Sequence, residues 1–259
     1  MKLSRRLSAL CSMVPAGTIL FDVGCDHAYV PIALVGEGRC PFCVASDLRS
    51  GALSSAREHV LAAGLADRIR LLLADGVPAG APSLVDSFRS GGMMSGGAKE
   101  FRESAPECAS AHKPGVTLLT AGMGGLLMLE ILSKAEVPEG FFTYYLASPQ
   151  RDADLFRAGL VFAGYRIADE MLVEEKGKYY PLILGEYTGD PAEALTQEEA
   201  LLGPVLMKRG GSTYRRYLSW KIRACEAILQ SLPENEGLRR EEIETKLRYF
   251  KCAAVAADA

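Results

Sequence analysis

Short apolar runs that end at acidic residues or glycine alternate with segments of helical spacing through most of the chain. Leu3, Leu7, Leu10 and Val14 step at helical intervals, so residues 1–14 read as an amphipathic helix with Lys2, Arg5 and Arg6 near its start. Residues 18–21 are β-prone and unbroken, as expected of a strand buried on both faces of a parallel sheet. The run stops at Asp22-Val23-Gly24, and residues 29–35 resume as a helix. Strands are predicted at 42–46, 69–74, 116–120 and 142–147, with helices at 52–63, 126–133 and 152–163. This alternation predicts a doubly wound α/β fold. Residues 166–173 and 180–187 then read as a terminal β-hairpin around a charged turn, which a strictly parallel dinucleotide-binding fold lacks.

Between 78 and 114 the pattern dissolves, most plainly in the Gly-rich run 90–97, and a flexible insertion or lid is predicted there. Beyond about residue 190 the composition changes to helix formers. Leu218, Ile222, Cys225, Leu229 and Leu232 form one stripe, residues 233–237 break it, and Ile243, Leu247 and Phe250 resume it, giving an antiparallel, coiled-coil-like helical hairpin. The reading is therefore two domains, 1–190 and 191–259.

The net charge of −3 gives no overall pull toward nucleic acid, but it is unevenly spread. Residues 208–251 carry eleven Lys or Arg against six Glu, while 1–207 carry eighteen against twenty-five acids. A basic patch is thus confined to the hairpin, with Lys208, Arg209, Arg215, Arg216, Lys221 and Arg223 as candidate phosphate ligands. Tyr214, Tyr217 and Trp220 are expected to pack the hairpin rather than stack on bases. The opening does not have the form of a secretory leader, the longest charge-free run is too short and too Gly-rich to span a bilayer, and a cytoplasmic location is expected. Seven scattered cysteines fit a reducing compartment; Cys40 and Cys43 lack the two further ligands a zinc site needs, and no metal is predicted.

The loop after the first strand decides the cofactor. A dinucleotide site wants G-x-G-x-x-G, yet only Gly24 is in place and Asp26 stands at the second glycine position. A carboxylate there repels a pyrophosphate and attracts a cation, which favours S-adenosylmethionine with its ammonium and sulfonium. Asp47, about twenty residues on, is placed to accept from the ribose hydroxyls, and Asp75 to meet the adenine amino group. Strand-end acids also serve as ordinary helix caps. Three in succession, Asp22, Asp47 and Asp75, together with the terminal hairpin, point to a Rossmann-like class I methyltransferase sheet. The cofactor set is read as Arg6, Asp22, Gly24, Asp26, His27, Asp47, Leu48, Asp75, Gly76 and Gly122; for Arg6, a solvated polar face is the equal alternative.

The chain also resembles the bacterial tRNA adenine-22 N1-methyltransferases over nearly its whole length. The resemblance rests on residues 3–7, on Asp22-Val23-Gly24-Cys25-Asp26-His27-Ala28-Tyr29-Val30-Pro31-Ile32, on Gly122-Met123-Gly124-Gly125, on Pro149-Gln150-Arg151 and on the C-terminal hairpin. It implies methyl transfer to N1 of an adenine in the tRNA D arm, with the hairpin helping to grip tRNA. The chain departs from the family in its long 78–114 link and in Ser148-Pro149-Gln150, where a Gln-Pro-Asn-like segment is usual.

Adenine N1 carries an in-plane lone pair, so no covalent enzyme intermediate is required, and neither the 122–125 nor the 148–150 loop offers the cysteine that pyrimidine C5 chemistry needs. Asp26 is the candidate for stabilising the cationic product, with His27 and Tyr29 shaping the pocket. Met123, Gly124, Gly125, Pro149, Gln150 and Arg151 are the candidates for holding the base. A class I methyltransferase for another RNA site or a small molecule, and a non-catalytic RNA-binding module, are the alternatives. The oligomeric state is left open, with a monomer as the working expectation.

Overall fold

The computed structural model describes residues 2–90, 115–189, 193–233 and 235–258. Its frame is one seven-stranded sheet: β1 (Ile19–Val23), β2 (Cys43–Asp47), β3 (Ile69–Leu73), β4 (Val116–Ala121), β5 (Tyr144–Ser148), β6 (Tyr165–Glu175) and β7 (Lys178–Tyr187). The order is β3-β2-β1-β4-β5-β7-β6, with β1 to β5 parallel and β7 antiparallel to both neighbours. The order reverses between β1 and β4, where α/β sheets open a ligand crevice at the carboxyl ends of the strands.

Alternation along each central strand supplies two cores. Leu20, Leu119 and Leu146 point to one face and pack with α1 (Arg5–Met13), α2 (Tyr29–Gly36) and α3 (Ser50–Ala62) through Leu10, Leu34 and Val60. Ile19, Phe21, Val23, Leu118 and Tyr145 point to the other face, against α4 (Ala81–Arg89), α5 (Gly125–Ser133) and α6 (Ala153–Phe162). The beginning of the stretch expected as an insertion therefore belongs largely to a helix, α4. Ala81 and Val85 are buried, and Phe88 stacks on Phe42 with centroids 4.9 Å apart. Residues 91–114 lie outside the described residues.

Register shows a feature that alternation alone did not indicate. Ala147 of β5 pairs with Ile183, so residues 178–181 run past the carboxyl end of β5 and overhang the crevice side of the sheet. Successive side chains on this overhang face opposite ways. Tyr180 meets α1, with the Arg6 guanidinium 4.9 Å from its ring centre, while Tyr179 meets Tyr217 and Trp220. The overhang thus carries the N-terminal helix on one side and the C-terminal helices on the other.

Those helices are α7 (Gln197–Leu202), α8 (Pro204–Arg209), α9 (Ser212–Ser231) and α10 (Gly237–Asp258). A capping box at Thr196 and Glu199 starts α7. Leu202, Leu206, Tyr214, Tyr217, Leu218, Cys225 and Phe250 form a third core, onto which Leu172 and Tyr179 of the hairpin pack. The expected boundary at 190/191 falls on residues 190–192, outside the described residues.

Candidate active site

Backbone conformation at the end of β1 explains why this loop has its sequence. Gly24 sits at φ +78°, and a Cβ there would lie 3.0 Å from the Met123 methyl, so glycine lets the loops after β1 and β4 approach across the crevice. Asp26 and Ala28 also hold positive φ, at 49° and 57°, which costs non-glycine residues energy and needs outside support. Asp47 supplies it. Its Oδ2 accepts from the Asp26 N–H at 3.1 Å and its Oδ1 from the Arg49 N–H at 2.9 Å and the Arg49 Nε at 3.3 Å. Burial opposes the Asp47 charge, but these donors outweigh it and hold the carboxyl below its usual range. Arg49 also reaches Asp26 Oδ1 at 3.4 Å, and His27 Nε2 lies 3.5 Å from Asp26 Oδ2. His27, Tyr29 and His59 cluster with ring centres 5.1 to 5.7 Å apart, and His59 Nδ1 lies 3.2 Å from the His27 carbonyl.

Asp22 is shifted in the opposite direction from Asp47. It is buried in β1, and burial followed by the nearby Asp47 charge pushes its carboxyl up to about 7. The folded chain therefore holds this proton more tightly than the unfolded chain, whose carboxyl titrates near 3.8. The resulting stabilisation is complete below that value and is lost as pH rises toward 7. Asp22→Asn keeps the shape without the charge, so its melting temperature should exceed that of the wild type more at pH 8 than at pH 5 in the cofactor-free protein. Equal shifts at both pH values would contradict this.

The loops after β4 and β5 are tied together. Gln150 N–H donates to the Met123 carbonyl at 2.9 Å, Gly122 N–H to Ser148 at 3.3 Å, and Gly125 N–H to Arg151 at 3.0 Å. A Cβ at Gly125 would lie 2.4 Å from the Asp152 carbonyl oxygen, so only glycine allows α5 and α6 to start side by side. Ser148 Oγ and His27 Nδ1 are buried without a hydrogen-bond partner among the described residues.

The crevice brings together Asp22, Gly24, Asp26, His27, Tyr29 and Asp47, and beside them Gly122 to Gly125 and Pro149 to Arg151. Leu48 is 67% exposed next to Asp47. Asp75 is exposed beyond β3, and the adjacent Gly76 carbonyl accepts from Ser46 Oγ at 3.0 Å. Arg6 lies on Tyr180, with its Nε buried and lacking a hydrogen bond among the described residues. The basic candidates are divided. Arg209 binds the Glu170 carbonyl and, at 2.6 Å, Asp169; Arg216 takes Glu174 at 2.8 and 3.0 Å; Lys221 lies over the rings of Tyr217, Trp220 and Phe250. Lys208, Arg209, Arg215, Arg216 and Arg223 are all exposed. The sequence pattern did not single out Arg49, His59 or Tyr180, and gave Ser148 only as part of the 148–150 segment; of the first three only Arg49 carried a signal, as a cation two residues after a strand-end acid.

Comparison with known proteins adds to this geometry. Residues 3–113 match a family model described as a methyltransferase domain, and residues 114–252 match one described as tRNA (adenine(22)-N(1))-methyltransferase. The tRNA (adenine(22)-N(1))-methyltransferase of Bacillus subtilis (strain 168) is 24% identical over 252 residues, covering 96% of this chain and 92% of that protein. Among solved structures, a candidate tRNA (m1A22) methyltransferase of Streptococcus pneumoniae is 26% identical, with a TM-score of 0.76 over 98% of this chain and 100% of that one. The same protein in complex with S-adenosyl-L-methionine aligns with a TM-score of 0.74. A Streptococcus agalactiae protein of the NADB-Rossmann superfamily is also 26% identical, with a TM-score of 0.77 over 98% of each chain.

Proposed function

The chain belongs to the tRNA (adenine(22)-N(1))-methyltransferase family, and from this premise we propose how its site divides the work. The chain is an S-adenosylmethionine-dependent enzyme that methylates N1 of adenine 22 in tRNA. The observation that carries the cofactor reading is the corner at Gly24 to Asp26, pinned by Asp47: it presents carboxylates where a pyrophosphate site would present glycine backbone. This donor set fits a ligand bearing ammonium and sulfonium charges. When bound, the cofactor supplies an electrophilic methyl group that the adenine N1 lone pair takes, leaving a neutral thioether and a cationic base.

The chain's residues bind, orient and stabilise. Asp47 would accept from the ribose hydroxyls, on the lone pair its present partners leave and on the one that the Arg49 Nε would yield, Leu48 and Gly76 would flank the cofactor's adenine, and Asp75 would receive its amino group. Gly24 and Gly122 let backbone approach closely, while Asp22 and Arg6 meet the amino-acid end. Met123 to Gly125 and Pro149 to Arg151 hold the target base, and orientation of this kind supplies much of the barrier lowering. Asp26 offsets the positive charge that develops on the base, held in place by Arg49 and His27, and Tyr29 walls the pocket. Residues 1–190 form the methyltransferase domain, and 191–259 the tRNA-gripping domain, through Lys208, Arg209, Arg215, Arg216, Lys221 and Arg223. No described helix is long and apolar enough to cross a membrane, and we place the reaction in the cytoplasm with its tRNA substrate.

The test is to incubate the protein with S-adenosylmethionine and unmodified tRNA and identify the methylated nucleoside by mass analysis. The expected product is 1-methyladenosine; cofactor-bound protein that makes none with several tRNAs would refute the reading. In the same assay Asp26→Ala should lower kcat by about tenfold or more, equivalent to about 1.4 kcal/mol or more of transition-state stabilisation. Its melting temperature should stay near that of the wild type, because the side chain is 56% exposed. Near-normal turnover would remove Asp26 from the chemistry.

A further inference from the structure

The target-base loop does not end at the crevice. Gln150 and Arg151, with Tyr179 of β7, also line one side of a cleft of about 330 Å³ between the methyltransferase domain and the C-terminal helices, whose other side includes Trp220 and Lys221 of α9. This volume lies within the roughly 300–1,000 Å³ typical of small-molecule sites. The three aromatic residues of α9 differ in their surroundings. Tyr214 and Tyr217 are 3% and 7% exposed and belong to the core, Tyr217 reaching the cleft only from below, whereas Trp220 is 36% exposed where it lines the cleft. The Lys221 ammonium lies 5.5 Å from the Trp220 ring centre and 5.6 Å from that of Tyr217.

We propose that this cleft takes a nucleobase of the tRNA strand next to the target adenine, stacked on Trp220, with Lys221 serving its phosphate. The inference rests on the tRNA-methyltransferase reading above. An adenine whose N1 must be reached has to be splayed from its stack, which also exposes its neighbour. An indole beside a lysine ammonium offers both things an unstacked nucleotide presents, a π-face and an anionic phosphate. Continuity supports the placement, since Gln150 is hydrogen-bonded to Met123 of the crevice and lines the cleft as well.

Trp220 is the only tryptophan in the chain, so excitation of indole reports on this position alone. Titration of the full chain with unmodified tRNA should quench its fluorescence saturably, with a midpoint matching the KM for tRNA. Trp220→Leu should raise that KM roughly tenfold, the scale of one lost base–aromatic stack, with kcat and S-adenosylmethionine affinity near wild type, and Trp220→Tyr should recover most of the loss. Unchanged fluorescence while tRNA is being methylated, or a wild-type KM in a folded Trp220→Leu protein, would overturn the proposal. If Trp220→Leu fails to fold, the wild-type titration decides. Quenching by a tRNA that is bound and not methylated would count against the functional reading while still supporting the cleft.

Discussion

Replacing Glu170 by alanine is expected to destabilise the protein by about 3–5 kcal/mol, the cost of stranding a buried charge. Glu170 is 0% exposed and its partner Arg157 2%. Arg157 Nε donates to Glu170 Oε1 at 2.6 Å, and its Nη1 donates to the Ala200 carbonyl of α7 at 2.8 Å. Glu170 Oε2 accepts the backbone N–H of Val205 at 2.9 Å and of Leu206 at 3.3 Å, in the first turn of α8. Gly203, at φ +86°, joins α7 to α8, and a Cβ there would lie 2.9 Å from the Glu170 carboxylate and the Arg157 guanidinium. The Arg157–Glu170 pair therefore ties α6 and β6 to both α7 and α8, the carboxylate holding α8 and the guanidinium α7. Removing the carboxylate leaves the Arg157 charge uncompensated and its Nε, together with the N–H groups of Val205 and Leu206, without the acceptor they use. At this chain length the melting temperature should fall by on the order of 10 °C. Glu170→Gln should do less damage, and Arg157→Met with Glu170→Met should recover much of the loss, because an apolar pair leaves no charge stranded. A Glu170→Ala protein that melts with the wild type would contradict the account.

Asp47→Ala is expected to weaken S-adenosylmethionine binding by about 100-fold or more. Hydrogen bonds to a charged acceptor contribute about 1.5–3 kcal/mol each, and two ribose hydroxyls would lose theirs. The loop suffers as well. The Asp26 N–H loses its acceptor while Asp26 and Ala28 remain at positive φ, so the unliganded corner gains alternatives to the binding geometry. Asp47→Asn separates the two effects: it keeps one carbonyl acceptor and should retain more affinity than alanine. Calorimetry reads both variants, and wild-type affinity in Asp47→Ala would refute the role given to this residue. The pocket assigned to the base lies across the crevice, so tRNA binding should change much less than cofactor binding.

The crevice was legible because its signals are local. Asp22 and Gly24 follow the run at 18–21 directly, Asp47 and Asp75 close or follow the next two runs, and the parallel order follows from the alternation of these runs with helices. Strand ends moved by one or two residues in the structure, as from 142–147 to Tyr144–Ser148. Helix α4 was hidden by its downstream neighbour. Ala81, Leu84, Val85 and Phe88 have helical spacing, but the Gly-rich run at 90–97 pulled the whole stretch toward a loop. Helices α7 and α8 have six residues each, too few for a period to declare itself.

The Arg157–Glu170 pair was invisible for a different reason. A charged residue in an amphipathic helix or an edge hairpin reads as solvent-facing until another layer covers it, and α7 and α8 come about thirty residues later in the chain. The basic hairpin shows the same limit. Counting charges found the excess over residues 208–251 but not that Arg209 and Arg216 reach Asp169 and Glu174 on the overhanging strands. Sequence reports how many cations a segment has; the fold decides which are already paired.

The central claim is that this chain methylates N1 of one adenine, at position 22 of tRNA. It is tested most directly with two transcripts of a single tRNA, one carrying A22 and the other G22, each incubated with the full chain and S-adenosylmethionine. The account predicts 1-methyladenosine in the A22 transcript, at that position and no other, and none in the G22 transcript. 1-Methyladenosine appearing in the G22 transcript, or its absence from A22 transcripts of several tRNAs that the cofactor-loaded protein binds, would contradict it.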